Sequence, residues 1–238
     1  LGAVVCAMSG VAPGLWARNL AAWAVGGLFA VALARWAGSR AIAAAALLGP
    51  AGLAATLFSP GLEGVHRWFT VGPVTVNAAL LLLPALVVAT AVLSARAWWG
   101  WLPAVLALLV LGLQPDASQA TSFAMAVCVL AAARPSDPPP ARGAVRGLVA
   151  AAAVMIAAWT WTRPDPLRPV PEVEEIIQLA ASHSPYLAAV GLLLLAAVAA
   201  TPFLATRRRH PATAPGAGLA VSALFAGWVA APFLGVFP

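Results

Sequence analysis

Charged side chains that could do chemistry are rare in this sequence, and the first group lies at Arg67 and Trp68, in the segment 59–73. A guanidinium forms two parallel hydrogen bonds with a phosphate, so Arg67 is a candidate to bind an anionic headgroup, with Trp68 covering a lipid or sugar face. The alternative is an interfacial tryptophan beside an arginine that snorkels to the membrane surface. The sequence leaves both interpretations open.

A second polar group is the tripeptide Gln114-Pro115-Asp116, which separates two apolar runs. An acidic residue at the edge of a membrane bundle indicates a functional site. Asp116 also directly precedes Ala117, where a helix is expected to begin, and aspartate is a favoured helix N-cap. We predict that Gln114 and Asp116 bind substrate, with helix capping as the alternative role of Asp116.

The segment 163–184 carries Asp165 in a proline-rich stretch that begins at Arg163, followed by the densest group of acids, Glu172, Glu174 and Glu175. The run that starts at Glu172 is typical of a short amphipathic helix on the outer surface. A carboxylate whose pKa is raised by partial desolvation can deprotonate a sugar hydroxyl. We predict Glu175 or Glu174 as a catalytic base and Glu172 and Arg163 as substrate-binding residues; solvated surface acids are the alternative.

The elements that must position these residues are membrane-spanning helices. Of the 238 residues, 63% are hydrophobic and 8% are charged, which excludes a water-soluble globular enzyme, because soluble domains are about half apolar and a quarter charged. We predict an all-α, polytopic transmembrane bundle of about nine spans, forming a single integral-membrane domain over residues 1–238. The predicted spans are Leu1–Ala12, Asn19–Trp36, Arg40–Phe58, Val74–Ala95, Leu102–Leu113, Ala117–Ala133, Gly147–Thr162, Tyr186–Ala205 and Gly216–Leu234.

The basic residues predict the orientation of these spans. With a cytoplasmic N-terminus, the inner connections hold nine arginines and one acid, a net charge of +8, and the outer ones hold four arginines and six acids, a net charge of −2. This asymmetry follows the positive-inside rule. The predicted outer loops are 59–73, 114–117 and 163–184, and the predicted inner loops are 134–146 and 206–215.

Several other classes of function find no support in the sequence. No charged segment precedes the first apolar run, so we expect no signal peptide. The arginines are scattered between apolar runs rather than gathered on one face, so we expect no nucleic-acid partner. The three histidines and two cysteines show no metal-ligand spacing. A site in this chain is expected to face outward and to take its substrate from the lipid.

Five segments follow one another in an order that resembles the SEDS family (shape, elongation, division and sporulation), which includes the FtsW and RodA cell-wall proteins. Trp16–Ala37 resembles the second helix of the family, and Gln114-Pro115-Asp116 is similar to its Gln-Pro-Asp motif. The other matching segments are His66-Arg67-Trp68-Phe69 with Gly72-Pro73, Val170-Pro171-Glu172 with Glu174-Glu175-Ile176-Ile177, and Pro232-Phe233-Leu234-Gly235-Val236-Phe237-Pro238.

The resemblance implies a membrane glycosyltransferase that polymerises lipid II, an undecaprenyl-pyrophosphate-linked cell-wall precursor, at the outer face of the bacterial inner membrane. It also implies a divalent metal ion, Mg²⁺ or Mn²⁺, and a single-span transpeptidase partner of the class B penicillin-binding type. Carried over by position, the catalytic acid falls on Glu175 or Glu174, the aromatic contact on Trp68 and the phosphate contact on Arg67.

Two departures from the family pattern leave alternatives to catalysis open. The family acid is aspartate, whereas this chain offers only glutamate, one residue out of register. The segment 74–80 contains neither the acid nor the base that the family has there. The alternatives are a non-catalytic SEDS-like membrane subunit that scaffolds a partner enzyme, or a small transporter of lipid-linked substrates.

Overall fold

The computed structural model of the protein describes residues 1–36, 38–71, 74–133, 140–163, 165–167, 169–208 and 216–235. The structure is mostly helical, at 79%, which confirms the predicted helical class. The predicted inner loops 134–146 and 206–215 fall outside the described residues at 134–139 and 209–215. Five helical segments of the described chain are long and apolar enough to cross a membrane, namely Ser39–Thr56, Ala78–Arg96, Arg142–Trp161, Pro185–Thr206 and Ala217–Leu234.

Each of the nine apolar runs contains a helix. The helices of the described chain are α1 (Gly2–Met8), α2 (Pro13–Trp36), α3 (Ser39–Thr56), α4 (Ala78–Arg96), α5 (Leu102–Leu113), α6 (Ala117–Ala132), α7 (Pro140–Trp161), α8 (Ile176–His183), α9 (Pro185–Arg208) and α10 (Ala217–Ala230). Two short 3₁₀ segments, Trp98–Trp101 and Ala231–Leu234, precede α5 and follow α10.

Helix α8 begins later than the sequence pattern indicated. The amphipathic run was expected to be helical from Glu172, but residues 171–174 form turns and α8 starts at Ile176, after Glu175 at its N-cap position. The carboxylate of Glu174 accepts the backbone N–H of Val170 at 2.7 Å, which closes this turn. A side chain that satisfies a preceding amide in this way competes with helix formation.

A short antiparallel hairpin departs from the all-helical expectation. Strand β1 (Trp68–Val71) pairs with strand β2 (Val74–Asn77), and α4 begins only at Ala78 rather than at Val74. Both strands are rich in β-branched or aromatic residues, which favour extended backbone. Asn77 then starts the helix, since its side-chain oxygen accepts the N–H groups of Ala79 and Leu80 at 2.9 and 3.3 Å.

The chain divides into two compact units, and the first comprises Leu1–Ala41 and Arg168–Ala197. In this unit α1 packs against α8 through a small apolar cluster around Val5, Ile177 and Ala180. The hydroxyl of Ser9 and Nε2 of His183 lie 2.8 Å apart and join the same two helices. The expectation of a single domain over the whole chain stays a prediction.

The second unit comprises Ile42–Leu167 and Val198–Pro238 and contains the larger apolar core. Leu86 on α4, Leu108 on α5, Phe123 on α6 and Leu224 on α10 are completely buried there. Helices α6 and α10 approach closely at Gly227, where an added Cβ would lie 2.7 Å from the Cα of Ser122. Small residues at such a crossing allow two backbones to pack tightly.

Candidate functional site

The second unit buries an arginine between two carboxylates. Arg67, just before β1, is only 2% exposed. Its Nη2 donates to Oδ2 of Asp165 at 2.6 Å and to the carbonyl of Pro115 at 3.0 Å, and its Nε lies 3.2 Å from Oδ2 of Asp116. The carbonyl of Arg67 accepts the N–H of Ala78 at 3.1 Å, which ties the arginine to the first residue of α4. The structure thus brings together Arg67 and Asp116, two of the predicted binding residues.

Asp116 caps a helix, as one of its two predicted roles required, and it also pairs with Arg67; its predicted role in substrate binding stays a prediction. Its Oδ1 accepts the N–H of Gln119 at 3.0 Å and caps α6, while Oδ2 faces Arg67. Burial raises the pKa of Asp116 to about 6, and the Arg67 guanidinium and the Gln119 N–H oppose this rise. With a pKa of about 6, Asp116 is mostly ionised at pH 7 and pairs there with the Arg67 guanidinium.

Gln114 connects α3 to the charge cluster through hydrogen bonds of its side-chain amide. Its Nε2 donates to the carbonyl of Leu53 at 3.0 Å and to the hydroxyl of Thr56, both on α3. The Thr56 hydroxyl in turn donates to the carbonyl of His66 at 2.8 Å, immediately before Arg67. Gln114 is 2% exposed, so its amide links α3, the loop before β1 and the end of α5. The substrate-binding role predicted for Gln114 stays a prediction.

Arg163 lies just beyond the C-terminal end of α7. Its Nη1 donates to the carbonyls of Gly112 and Leu113 at 2.7 and 3.3 Å, at the end of α5. The guanidinium also stacks over the ring of Trp159, with 5.1 Å from Cζ to the ring centroid. A cation at a helix C-terminus and over an indole face is stabilised by both the helix dipole and the ring quadrupole. The guanidinium is thereby held in one orientation.

A cavity of about 310 Å³ lies beside Arg163. This volume falls at the lower end of the range for small-molecule sites. Asp165 is 32% exposed and contacts Arg67, so it separates the cavity from the buried Arg67–Asp116 pair. The cavity is lined by Pro115, Ala117, Thr160, Trp161, Arg163, Asp165, Leu167 and Gly235.

The sequence shows Asp165 as one of the acids of the segment 163–184 but does not single it out as a site residue. It lies 98 residues from Arg67 along the chain, between two prolines, and no local pattern distinguishes it from a solvated loop acid. The signal that could have found it is electrostatic, because a buried arginine in an apolar chain requires carboxylate partners. Only seven acids are available in the whole sequence.

The other predicted site residues lie elsewhere in the two units. Trp68 opens β1, and its carbonyl accepts the Ser59 hydroxyl at 2.9 Å. The carbonyl of Glu172 faces the thiol of Cys6 at 3.8 Å. Glu172, Glu174 and Glu175 are partly buried residues of the first unit, whereas Arg67, Trp68, Gln114, Asp116 and Arg163 belong to the second. The base role predicted for Glu175 or Glu174 stays a prediction.

The carboxylates do not form a metal centre in the part of the chain that the structure describes. Nowhere in it do three or more His, Cys, Asp or Glu side chains come close enough together to hold a metal ion. The divalent ion implied by the SEDS resemblance therefore has no fitting set of side-chain ligands among the described residues.

Three comparisons with known proteins found no match. No protein-family model, curated protein or solved structure matches this chain. The assignment of a function consequently rests on the cavity, the charge cluster and the order of the sequence motifs.

Proposed function

We propose that this chain is a SEDS-like membrane glycosyltransferase that polymerises an undecaprenyl-pyrophosphate-linked cell-wall precursor. In this proposal the chain crosses the bacterial inner membrane about nine times, with its N-terminus in the cytoplasm and its site facing outward. The charge asymmetry of the loops and the order of the five motifs support the proposal. Membrane lipids surround the bundle, and the partner is a single-span transpeptidase.

The observation that carries the proposal is the position of two arginines beside the cavity. Arg163 lines the cavity directly, and Arg67 is reached through Asp165, which is partly exposed. A pyrophosphate that enters would pair with Arg163 and would compete with Asp165 for Nη2 of Arg67. Phosphate matches the planar donor fork of a guanidinium. Binding is therefore coupled to displacement of the Asp165 carboxylate.

Catalysis in this proposal needs one base. The carboxylate of Glu175, or of Glu174, accepts the proton of the acceptor sugar hydroxyl while that oxygen forms a bond to the anomeric carbon of the donor sugar. The bond from the anomeric carbon to the pyrophosphate oxygen breaks, and undecaprenyl pyrophosphate leaves. Attack opposite the leaving group inverts the anomeric centre. Within the second unit, Trp68 supports a sugar face and Asp116 contributes a polar contact; within the first unit, Glu172 contributes a polar contact beside the candidate bases.

Two variants test binding and catalysis separately. Arg163→Gln is expected to weaken binding of lipid II, measured by native mass spectrometry of the purified protein, by at least about tenfold, because a charge-assisted hydrogen bond is lost. Arg18→Gln, at an exposed position of α2, is the matched control. Glu175→Gln is expected to bind lipid II normally and to form no glycan strands.

Either of two results would contradict these assignments. Equal lipid II affinity in Arg163→Gln and the unmodified protein would show that the cavity does not hold the headgroup. Full polymerisation by Glu175→Gln would remove that residue from the base role and leave Glu174 to be tested in the same way.

A non-catalytic SEDS-like scaffold is the second candidate, and one observation favours it. The Glu174 carboxylate accepts the Val170 amide within its own turn, which is a structural role for one of the two candidate bases. A scaffold would bind lipid-linked substrate or the partner enzyme but would form no strands with any metal or partner. The binding and polymerisation measurements above separate the two candidates.

A further inference from the structure

Three further arginines lie near the end of α4 that is opposite to Arg67: one on α4 itself and two on α7. Arg67 contacts the first residue of α4, Ala78, and Arg96 is the last residue of the same helix. A helix of this length spans about 28 Å, close to the thickness of the hydrocarbon core of a bilayer. Arg142 and Arg146 lie in the first two turns of α7, which packs against the 3₁₀ segment Trp98–Trp101 that follows Arg96.

A recess is built at this end by a close backbone contact. Gly100 lies so near to the last turns of α4 that an added Cβ would be 2.2 Å from the carbonyl carbon of Leu93. This contact turns Trp101 into the core, where it is 4% exposed. The arginine recess, as we call it, is lined by Ala91, Ser94, Ala95, Trp101, Leu130, Ala133 and Arg146, and it holds about 20 Å³, room for one water-sized group.

Among the described residues that line it, the arginine recess contains no carboxylate. Within the described residues, neither Arg146 nor Arg142 nor Arg96 has a hydrogen bond or an ion pair to another side chain. Asp137, the acid nearest in the sequence, lies outside the described residues. This contrasts with Arg67, which two carboxylates neutralise at the opposite end of α4.

Two exposed tryptophans lie in the same 3₁₀ segment as Trp101, which lines the recess. Trp98 and Trp99 are 67% and 54% exposed, and indole rings of this kind favour the headgroup level of a bilayer. Basic pockets between spanning helices at that level are typical binding places for lipid phosphates. The three arginines supply the positive charge, and the recess supplies a position for one phosphate oxygen.

We propose that the arginine recess binds the phosphate of an anionic membrane lipid. Arg146 faces one phosphate oxygen at the recess, Arg142 and Arg96 supply the surrounding positive potential, and Trp98 and Trp99 lie along the glycerol region. The lipid here is a resident of the bilayer at the opposite end of α4 from the substrate cavity. The proposal is independent of the glycosyltransferase proposal, since it concerns a different end of the unit and a different ligand.

The test counts lipids bound to the purified full chain by native mass spectrometry. Phosphatidylglycerol and phosphatidylcholine are titrated separately, and the unmodified protein is expected to prefer phosphatidylglycerol. Arg146→Gln is expected to lower phosphatidylglycerol affinity about fivefold and to leave phosphatidylcholine binding unchanged. Arg40→Gln, at an exposed position of α3 that does not line the recess, is the matched control and is expected to change neither.

Three results would overturn the proposal. The first is equal affinity for the two lipids in the unmodified protein. The second is an equal loss of affinity in Arg40→Gln and Arg146→Gln, which would indicate only general attraction. The third is displacement of phosphatidylglycerol by millimolar inorganic phosphate, which would assign the recess to a free anion. If Arg146→Gln does not fold, Arg142→Gln at an exposed position replaces it, and unchanged affinity in that variant would also overturn the proposal.

Discussion

Replacement of Arg67 by methionine removes the positive charge that two carboxylates share, while it keeps an unbranched side chain in the same space. The two acids differ in their access to solvent once the arginine is gone. Asp165 is 32% exposed and can be solvated, whereas Asp116 is fully buried. The loss of stability in Arg67→Met is therefore expected to arise mainly from the buried negative charge of Asp116, which no longer has a cationic partner.

The magnitude follows from these contacts. Removal of one partner from a buried ion pair costs about 3–5 kcal/mol, and the Pro115 carbonyl loses its hydrogen bond from Nη2, for about 1 kcal/mol more. Asp116 can relieve part of this cost by taking up a proton, because burial already raises its pKa to about 6. We expect a loss of about 4 kcal/mol near pH 7.5 and a clearly smaller loss near pH 5.

The assay is equilibrium unfolding in mixed micelles of a mild detergent and dodecyl sulfate, followed by tryptophan fluorescence at the two pH values. Arg18→Met, at an exposed position of α2, is the control and should change stability by less than about 0.5 kcal/mol. Asp116→Asn retains an N-cap side chain for α6 and removes the stranded charge. The double variant of Arg67→Met and Asp116→Asn should therefore be more stable than Arg67→Met alone near pH 7.5.

A loss below about 1 kcal/mol in Arg67→Met near pH 7.5 would refute this reasoning, because an uncompensated buried charge costs more than that. So would a loss of the same size at both pH values. Purely additive effects of the two substitutions would show that Arg67 and Asp116 are not coupled.

Two further predictions concern a pH profile and a glycine. The pKa of Asp116 is about 6 in the folded protein and about 3.9 in an unfolded chain, so the native state binds more protons between these values. The free energy of unfolding should then fall as pH rises from about 4 to about 6, and Asp116→Asn should remove that part of the slope; an unchanged slope would assign it to another group. Gly100→Ala should destabilise the second unit by at least about 1–3 kcal/mol, since its Cβ would meet the backbone of Leu93 at 2.2 Å. Gly14→Ala, which has nothing within 4 Å of the added carbon, is its control in the same unfolding assay, and equal stability of the two variants would contradict the close contact.

The sequence predicted the helices well because long apolar runs leave few alternatives for the backbone in a membrane. It failed at residues 68–77, where a short apolar run was assigned to a loop and the first turn of a span but forms a hairpin. Short runs of β-branched and aromatic residues are hydrophobic in either structure, so hydropathy alone does not separate a strand from a helix there.

The candidate site was predictable in part. Arg67, Gln114 and Asp116 were recognised because polar residues are rare in an apolar chain, and the structure buries all three in one unit. Their partners were not predictable, because contacts such as that of Arg67 with Asp165 join residues far apart in sequence. Capping by Asp116 was predictable from its position before Ala117, whereas the ion pair of its second carboxylate oxygen with Arg67 was not.

The measurement that tests the proposed function most directly is a gel assay for glycan strands. The purified full-length protein is incubated with lipid II and Mg²⁺ or Mn²⁺, with and without its transpeptidase partner, beside a variant carrying both Glu174→Gln and Glu175→Gln. The proposal predicts strands from the unmodified protein and none from the double variant, with lipid II binding retained by both. Strands from the double variant, or lipid II binding without strands under every condition, would contradict it.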